Sequence, residues 1–316
     1  MKIQSVWIGS ISIPYIYLSL RKFLLQSVAY KAALLFSLFS HVVIYSVVFN
    51  RDPHIYLVFV LASYLLVHFD TKKFVFIKLF GLMLLAMGFR LEHGLFFSVF
   101  IIGYFYLKAT KNKSLLLVLF AVLPVFFAIF SPSFLDKYGD NSEAYQNQID
   151  RVERTSFSAG AALSKLPPGL KQIAMGINSQ IASAVPFWRG WKPEPNDPNF
   201  RRFPVPGYFT SWRFMEGVAG VFWFFVWGIV VAGFVRGVHK FVPQEIKIPF
   251  YIGVLLILVA SSSINIRRIY CVYPAIYIYA TYIYVLLPPF FRNQAIRYSA
   301  ITLVAFYCIY LSLKGF

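Results

Sequence analysis

The sequence predicts an all-α fold, a polytopic membrane bundle of about ten transmembrane helices with one large extracytoplasmic loop. Three observations predict it. Hydrophobic residues make up 59% of the chain and charged residues only 13%, which is not the balance of a soluble domain. Apolar runs near the spanning length of roughly 20 residues recur along it. The polar residues are concentrated in one stretch, 131–213, which holds seven of the twelve carboxylates: Asp136, Asp140, Glu143, Asp150, Glu153, Glu194 and Asp197. Residues 1–316 read as a single integral membrane domain, and 131–213 as its large extracytoplasmic loop.

Taken in order, the first run, 3–20, is interrupted by Ser10, Ser12 and Pro14 and ends at Arg21 and Lys22. The second, 32–49, follows Lys31 and stops before Arg51 and Asp52. The third, 55–69, leads to Lys72 and Lys73, and the fourth, 74–89, ends at Arg90. The fifth, 94–107, runs into Lys108, Lys111 and Lys113, and the sixth, 115–130, enters the long polar stretch. Beyond that stretch, 214–235 lies between Arg213 and Arg236. The run 249–264 follows Lys247 and stops before Arg267 and Arg268. The last two runs are 269–288 and 298–313, separated by Arg292 and Arg297.

The formal net charge of +18 invites a nucleic-acid reading, but its distribution argues against one. Alternate short connections carry fourteen cations, from Arg21 to Arg297, whereas the opposite ones carry only Arg51, Arg90, Arg267 and Arg268. The excess of Lys and Arg on cytoplasmic loops then puts the termini and the long loop outside the cytoplasm. Cys271 and Cys308 both fall in apolar runs and read as buried small hydrophobes, with no disulfide or zinc spacing.

Within the loop, Leu166, Leu170, Ile173, Ile177 and Ile181 recur at three- and four-residue spacing. Pro167 and Pro168 stand where prolines start helices. The pattern predicts an amphipathic helix lying on the outer membrane face or folded over the bundle, with an ordinary surface helix as the alternative. The following Val185-Pro-Phe-Trp-Arg-Gly-Trp191 places aromatics beside Arg189, suited to anchoring at the interface or to stacking on a sugar ring.

Charges beside apolar spans are costly and each needs a reason. Gly88-Phe-Arg-Leu-Glu-His-Gly94 brings Arg90, Glu92 and His93 to one tight turn. The Arg fork suits phosphate or carboxylate, and Glu92 or His93 can act as a base. Alternatively, Arg90 and Glu92 simply pair with each other. Arg267 and Arg268 share a second turn, and Arg213 and Glu216, three residues apart at the entrance to a span, either form a local pair or serve the same face. Three arginine-bearing turns on one side describe a cavity suited to a diphosphate. No Gly-rich nucleotide loop, metal-ligand cluster or paired-Asp motif accompanies them; Asp52 stands alone in the first outer turn.

In this arrangement the chain resembles the Wzy-type O-antigen and capsular polysaccharide polymerases of bacterial inner membranes. The resemblance rests on the span count, the large outer loop after the sixth span, and the outer arginines. At residue level it is carried by Arg90-Leu-Glu-His-Gly94, by Pro186-Phe-Trp with Arg189, and by Arg267-Arg268 with Tyr270 and Pro274. It implies metal-independent inverting glycosyl transfer at the extracytoplasmic face, without a cofactor, on undecaprenyl-pyrophosphate-linked oligosaccharide. Arg90, Arg267 and Arg268, with Arg213 and Arg189, would hold the pyrophosphate and glycan. Glu92, Glu216 or His93 would be the base. Implied partners are membrane lipid and the chain-length regulator and flippase of the same pathway, with no nucleic acid. The alternatives are a polyprenyl-linked sugar glycosyltransferase or ligase, which would show acidic residues in an early outer loop, a flippase or transporter, and a structural partner.

Overall fold

The computed structural model describes residues 2–41, 52–69, 74–108, 166–167, 169–181, 184, 212–260 and 269–314. Among these residues the chain is entirely helical. Five helices precede the long loop: α1 (Lys2–Arg21), α2 (Gln26–Phe39), α3 (Asp52–Val67), α4 (Val75–Phe89) and α5 (Leu91–Lys108). Within the loop lies α6 (Leu170–Ile181). Four follow it: α7 (Trp212–Val235), α8 (Gln244–Ala260), α9 (Tyr273–Leu286) and α10 (Pro289–Lys314). Short 3-10 turns, Val238–Phe241 and Tyr270–Val272, precede α8 and α9.

Two of these helices are long and apolar enough to cross a membrane, over Phe214–Val235 and Pro289–Ser312. The apolar helices Asp52–Val67, Val75–Phe89, His93–Lys108 and Tyr270–Leu286 are shorter. At 1.5 Å per residue, helices of this kind reach roughly 25 Å, somewhat less than the roughly 30 Å of a hydrocarbon core. The first part of the predicted run 32–49 falls in the helix Gln26–Phe39, while 42–49 and the predicted run 115–130 lie outside the described residues.

Helix α9 forms the centre of the bundle. It is buried on almost every side, as expected of a helix apolar all round. Phe250 of α8 stacks on its Tyr279 with centroids 3.8 Å apart, and Trp223 of α7 stacks on Tyr273 at 3.9 Å. The Tyr277 hydroxyl donates to the Ala32 carbonyl of α2 at 2.7 Å. Helices α3 and α5 add Phe59, Phe97 and Phe100 to the same core.

The helices alternate in direction, and their carboxyl ends gather cations at one end of the bundle. Lys22 Nζ reaches the Val67 carbonyl at the end of α3 at 2.5 Å, and the Tyr104 hydroxyl donates to Leu66 O at 3.0 Å. Arg292 caps α9 by donating to Leu287 O at 2.6 Å and Val285 O at 2.8 Å. Lys108, at the end of α5, pairs with Glu245 of α8 at 3.5 Å. Each contact satisfies carbonyls that a helix terminus leaves without partners, or sets a cation against the negative end of the helix dipole. The charge alternation in the sequence thus has a structural counterpart: Lys22, Lys108, Arg236, Lys240, Lys247 and Arg292 share one end. Arg90 lies at the other.

Helix α6 occupies the register expected from Leu166 to Ile181, but its orientation reverses the usual arrangement. Leu170, Ile173 and Ile177 are exposed, whereas Ser179 and Gln180 are buried against α7 and α8. The Gln180 carbonyl accepts from the indole N–H of Trp223 at 2.9 Å and of Trp227 at 3.1 Å. Its amide nitrogen donates to Ser179 Oγ, which donates to Gly176 O. One cysteine departs from expectation: Cys271 is buried, but Cys308 is exposed on α10, because that helix turns much of its apolar surface outward.

Candidate active site

At the end opposite the cations, the amino ends of α3, α5, α7 and α9 meet the carboxyl ends of α2, α4 and α8. The turn between α4 and α5 is as short as a turn can be. Arg90 leaves α4 in an extended conformation, and its own N–H still bonds to Ala86 O at 2.9 Å. Its carbonyl already accepts the first bonds of α5, from the N–H groups of His93 at 3.1 Å and Gly94 at 3.2 Å. Arg90 is therefore both the cap of one helix and the start of the next.

That tightness depends on Gly94. A Cβ at this position would overlap the Met87 side chain and approach its Cα to 3.1 Å. Because the two helices touch here, Arg90 cannot drift outward. Its Nη2 lies 3.4 Å from Oδ1 of Asp52, the first residue of α3, whose side chain retains only 2% of its exposure against 28% for Arg90. A carboxylate at a helix amino terminus gains from the dipole, and pairing with a guanidinium offsets part of the desolvation that burial imposes.

Around this pair lie further polar groups. His93 is buried and packs edge-on to Phe96 at 5.9 Å. His54, one turn into α3, lies 4.9 Å from the Phe89 ring. The 3-10 turn Tyr270–Val272 packs against α3, so that the rings of Tyr56 and Tyr270 are 6.3 Å apart. Buried His41, just beyond α2, faces Tyr273 edge-on at 5.7 Å. The Tyr56 hydroxyl, fully enclosed, has no hydrogen-bond partner among the described residues.

Of the residues singled out in the sequence, Arg90 and His93 stand together here, joined by the backbone of Glu92. Glu216 comes from a separate element, the first turns of α7, and is half-buried. The side chains of Glu92 and Arg213, and all of Arg189, Arg267 and Arg268, lie outside the described residues. Asp52, noted in the sequence as the lone acidic residue of the first outer turn, is the partner of Arg90. The alternative pairing of Arg90 with Glu92 falls on a side chain outside the described residues, and the ion pair described for Arg90 is one between two helices. The sequence signal for Asp52 was its place at the edge of an apolar run, where a carboxylate needs a reason to be buried.

Chemically, the arrangement offers a permanently charged fork with partial access to solvent, a buried carboxylate, an imidazole and several phenols. The fork suits a phosphate or carboxylate, and the carboxylate or imidazole suits proton transfer. Among the described residues, no three His, Cys, Asp or Glu side chains are placed to hold a metal ion. Comparison with protein-family models, curated proteins and solved structures gives no match, so the functional reading rests on the residues of this chain.

Proposed function

We propose that the chain is a polytopic inner-membrane protein of about ten spans that polymerises a bacterial surface polysaccharide at the extracytoplasmic face. The observation that carries the reading is the Asp52–Arg90 pair, a carboxylate and a guanidinium held together in the wall of an otherwise apolar bundle. Ionisable groups at such a place are expensive, and function is the default reason for them. The cation-rich opposite end supports an outward-facing placement of the pair.

In the proposed reaction the hydroxyl of an acceptor sugar attacks the anomeric carbon of a saccharide linked to a lipid diphosphate. The glycosidic bond forms as the bond to the diphosphate oxygen breaks, and the electron pair leaves with the lipid pyrophosphate. The acceptor proton passes to a base, for which Glu92, Glu216 and His93 are the candidates and Asp52 is now a fourth. Arg90 stabilises the departing diphosphate, with Arg267, Arg268, Arg213 and Arg189 as further candidates. Charge stabilisation at the leaving group supplies the main catalytic effect.

A second reading is favoured by one specific observation. A polyprenyl-linked sugar transferase needs an acidic residue in an early outer turn, and Asp52 is such a residue, set against an arginine. Deleting the gene in its host and sizing the surface glycan and the lipid-linked pool separates the readings. Collapse of a glycan ladder to single repeat units supports polymerisation. Incomplete units support the transferase, full-length polymer stranded on its carrier a ligase, and complete units held in the cytoplasmic leaflet a flippase. An unchanged glycan profile removes the proposal.

A further inference from the structure

A cavity of about 660 Å³ opens along the side of the bundle between α7 and α10, with α8 as its floor. Its two walls are the two helices long and apolar enough to cross a membrane. The lining is almost wholly apolar, with Val231 and Ala232 on one wall and Phe291 and Phe306 on the other. Helix α6 closes the far end with Ile177 and Gln180, and the Gln180 carbonyl is already engaged by two indole N–H groups.

The near end is different. There Arg236, at the carboxyl end of α7, lies flat over the Phe291 ring with Cζ 3.6 Å from its centroid. Its Nη2 faces Gln294 Oε1 at 3.5 Å, and the side chain remains exposed. A guanidinium stacked on an aromatic ring keeps its N–H groups directed outward and available to an anion. The groove is thus amphipathic from end to end. Between Phe224 and Arg236, α7 covers roughly 18 Å at 1.5 Å per residue, close to half of the roughly 30 Å hydrocarbon core.

We propose that this groove holds one acyl chain of an anionic phospholipid of the cation-rich leaflet, with the phosphate of its headgroup on Arg236. Three features select this occupant. The exposed apolar walls suit lipid, and their length is close to that of one leaflet. Arg236, the one cation lining the groove among the described residues, stands at the cation-rich end, where anionic headgroups would concentrate. The site is at the opposite end of the bundle from Asp52 and Arg90. It depends on the membrane placement of α7 and α10, not on the glycosyl-transfer reading.

The test is native mass spectrometry of the full chain in detergent, titrated separately with phosphatidylglycerol and phosphatidylcholine carrying identical chains. The wild type is expected to retain one phosphatidylglycerol, with a preference of roughly fivefold over phosphatidylcholine from the single cation. Arg236→Gln should abolish the preference while leaving some retention of both lipids. Val231→Trp, at an exposed wall position, should fill the groove and abolish retention of both. Thr302→Trp does the same from the other wall and decides the matter if the first variant folds poorly. Equal retention of the two lipids by the wild type, or undiminished retention by the tryptophan variants, overturns the proposal. So does a dimer that the tryptophan variants dissociate, which would seat a second copy in the groove, or the copurification of a polyprenyl lipid there in place of phospholipid.

Discussion

Arg90 Nη2 and Asp52 Oδ1, 38 positions apart in the chain, lie 3.4 Å apart at the polar end of the bundle, and the two partners are unequally buried. The carboxylate is almost completely removed from solvent and the guanidinium only partly. The inequality makes the two single substitutions unequal. Arg90→Gln leaves a buried carboxylate without this guanidinium and should lower stability by about 3 kcal/mol. Asp52→Asn leaves an arginine that can turn towards solvent, and should lower it by only about 1 kcal/mol. The double variant should lose less than the sum of the two. Thermal unfolding of the purified protein in detergent measures all three. Strict additivity would show that the pair is not coupled, and equal losses for the two singles would show that their unequal burial does not set the cost.

The extent to which this was legible in the sequence follows from what each signal encodes. Apolar runs encode helices directly, so the stretches that became α3, α4, α5, α7 and α9 could be read to within a few residues. The span 115–130 and most of the loop lie outside the described residues. The Asp52–Arg90 contact had no local signature, because two charges separated by 38 residues and a full helical hairpin meet only through packing. The tight turn Gly88–Gly94 was legible as a cluster, but its partner was not. The two-faced character of α6 was legible too, since three- and four-residue spacing is a property of the sequence alone. The direction of its faces was not, because that depends on whether water or lipid surrounds the helix.

Helix α6 supplies the second prediction. The Gln180 carbonyl serves two indole N–H groups at once, those of buried Trp223 and half-buried Trp227. Gln180→Leu keeps the approximate volume but strands both donors, each of which costs roughly 1–3 kcal/mol when left unsatisfied in the interior. A loss of several kcal/mol is therefore expected, accompanied by a change in tryptophan emission as the α6 contact loosens. The rescue experiment changes the donors instead. In a Trp223→Phe, Trp227→Phe background, Gln180→Leu should be much less harmful, because no indole N–H remains to be stranded. If Gln180→Leu is equally damaging in both backgrounds, the loss arises from packing and not from hydrogen bonding.

The third prediction concerns Gly94, whose N–H bonds to the Arg90 carbonyl and whose missing side chain fixes the turn that holds Arg90. With no Cβ at this position, α5 approaches α4 closely enough for one residue to serve as the whole turn. Gly94→Ala introduces a methyl group where Met87 Cγ now stands, and the nearby Met87 backbone gives it little room to retreat. Overpacking of this kind should cost about 1–3 kcal/mol. The flexible Met87 side chain is the part that can yield, so Met87→Ala combined with Gly94→Ala should recover much of the loss. A functional readout separates geometry from stability. If Arg90 acts on a phosphate, Gly94→Ala should lower activity by more than its stability loss explains, because a shifted guanidinium no longer presents its fork at the same angle. The Met87→Ala second substitution should restore both together. Activity that recovers without stability, or stability that recovers without activity, would show that the turn does not act by positioning Arg90.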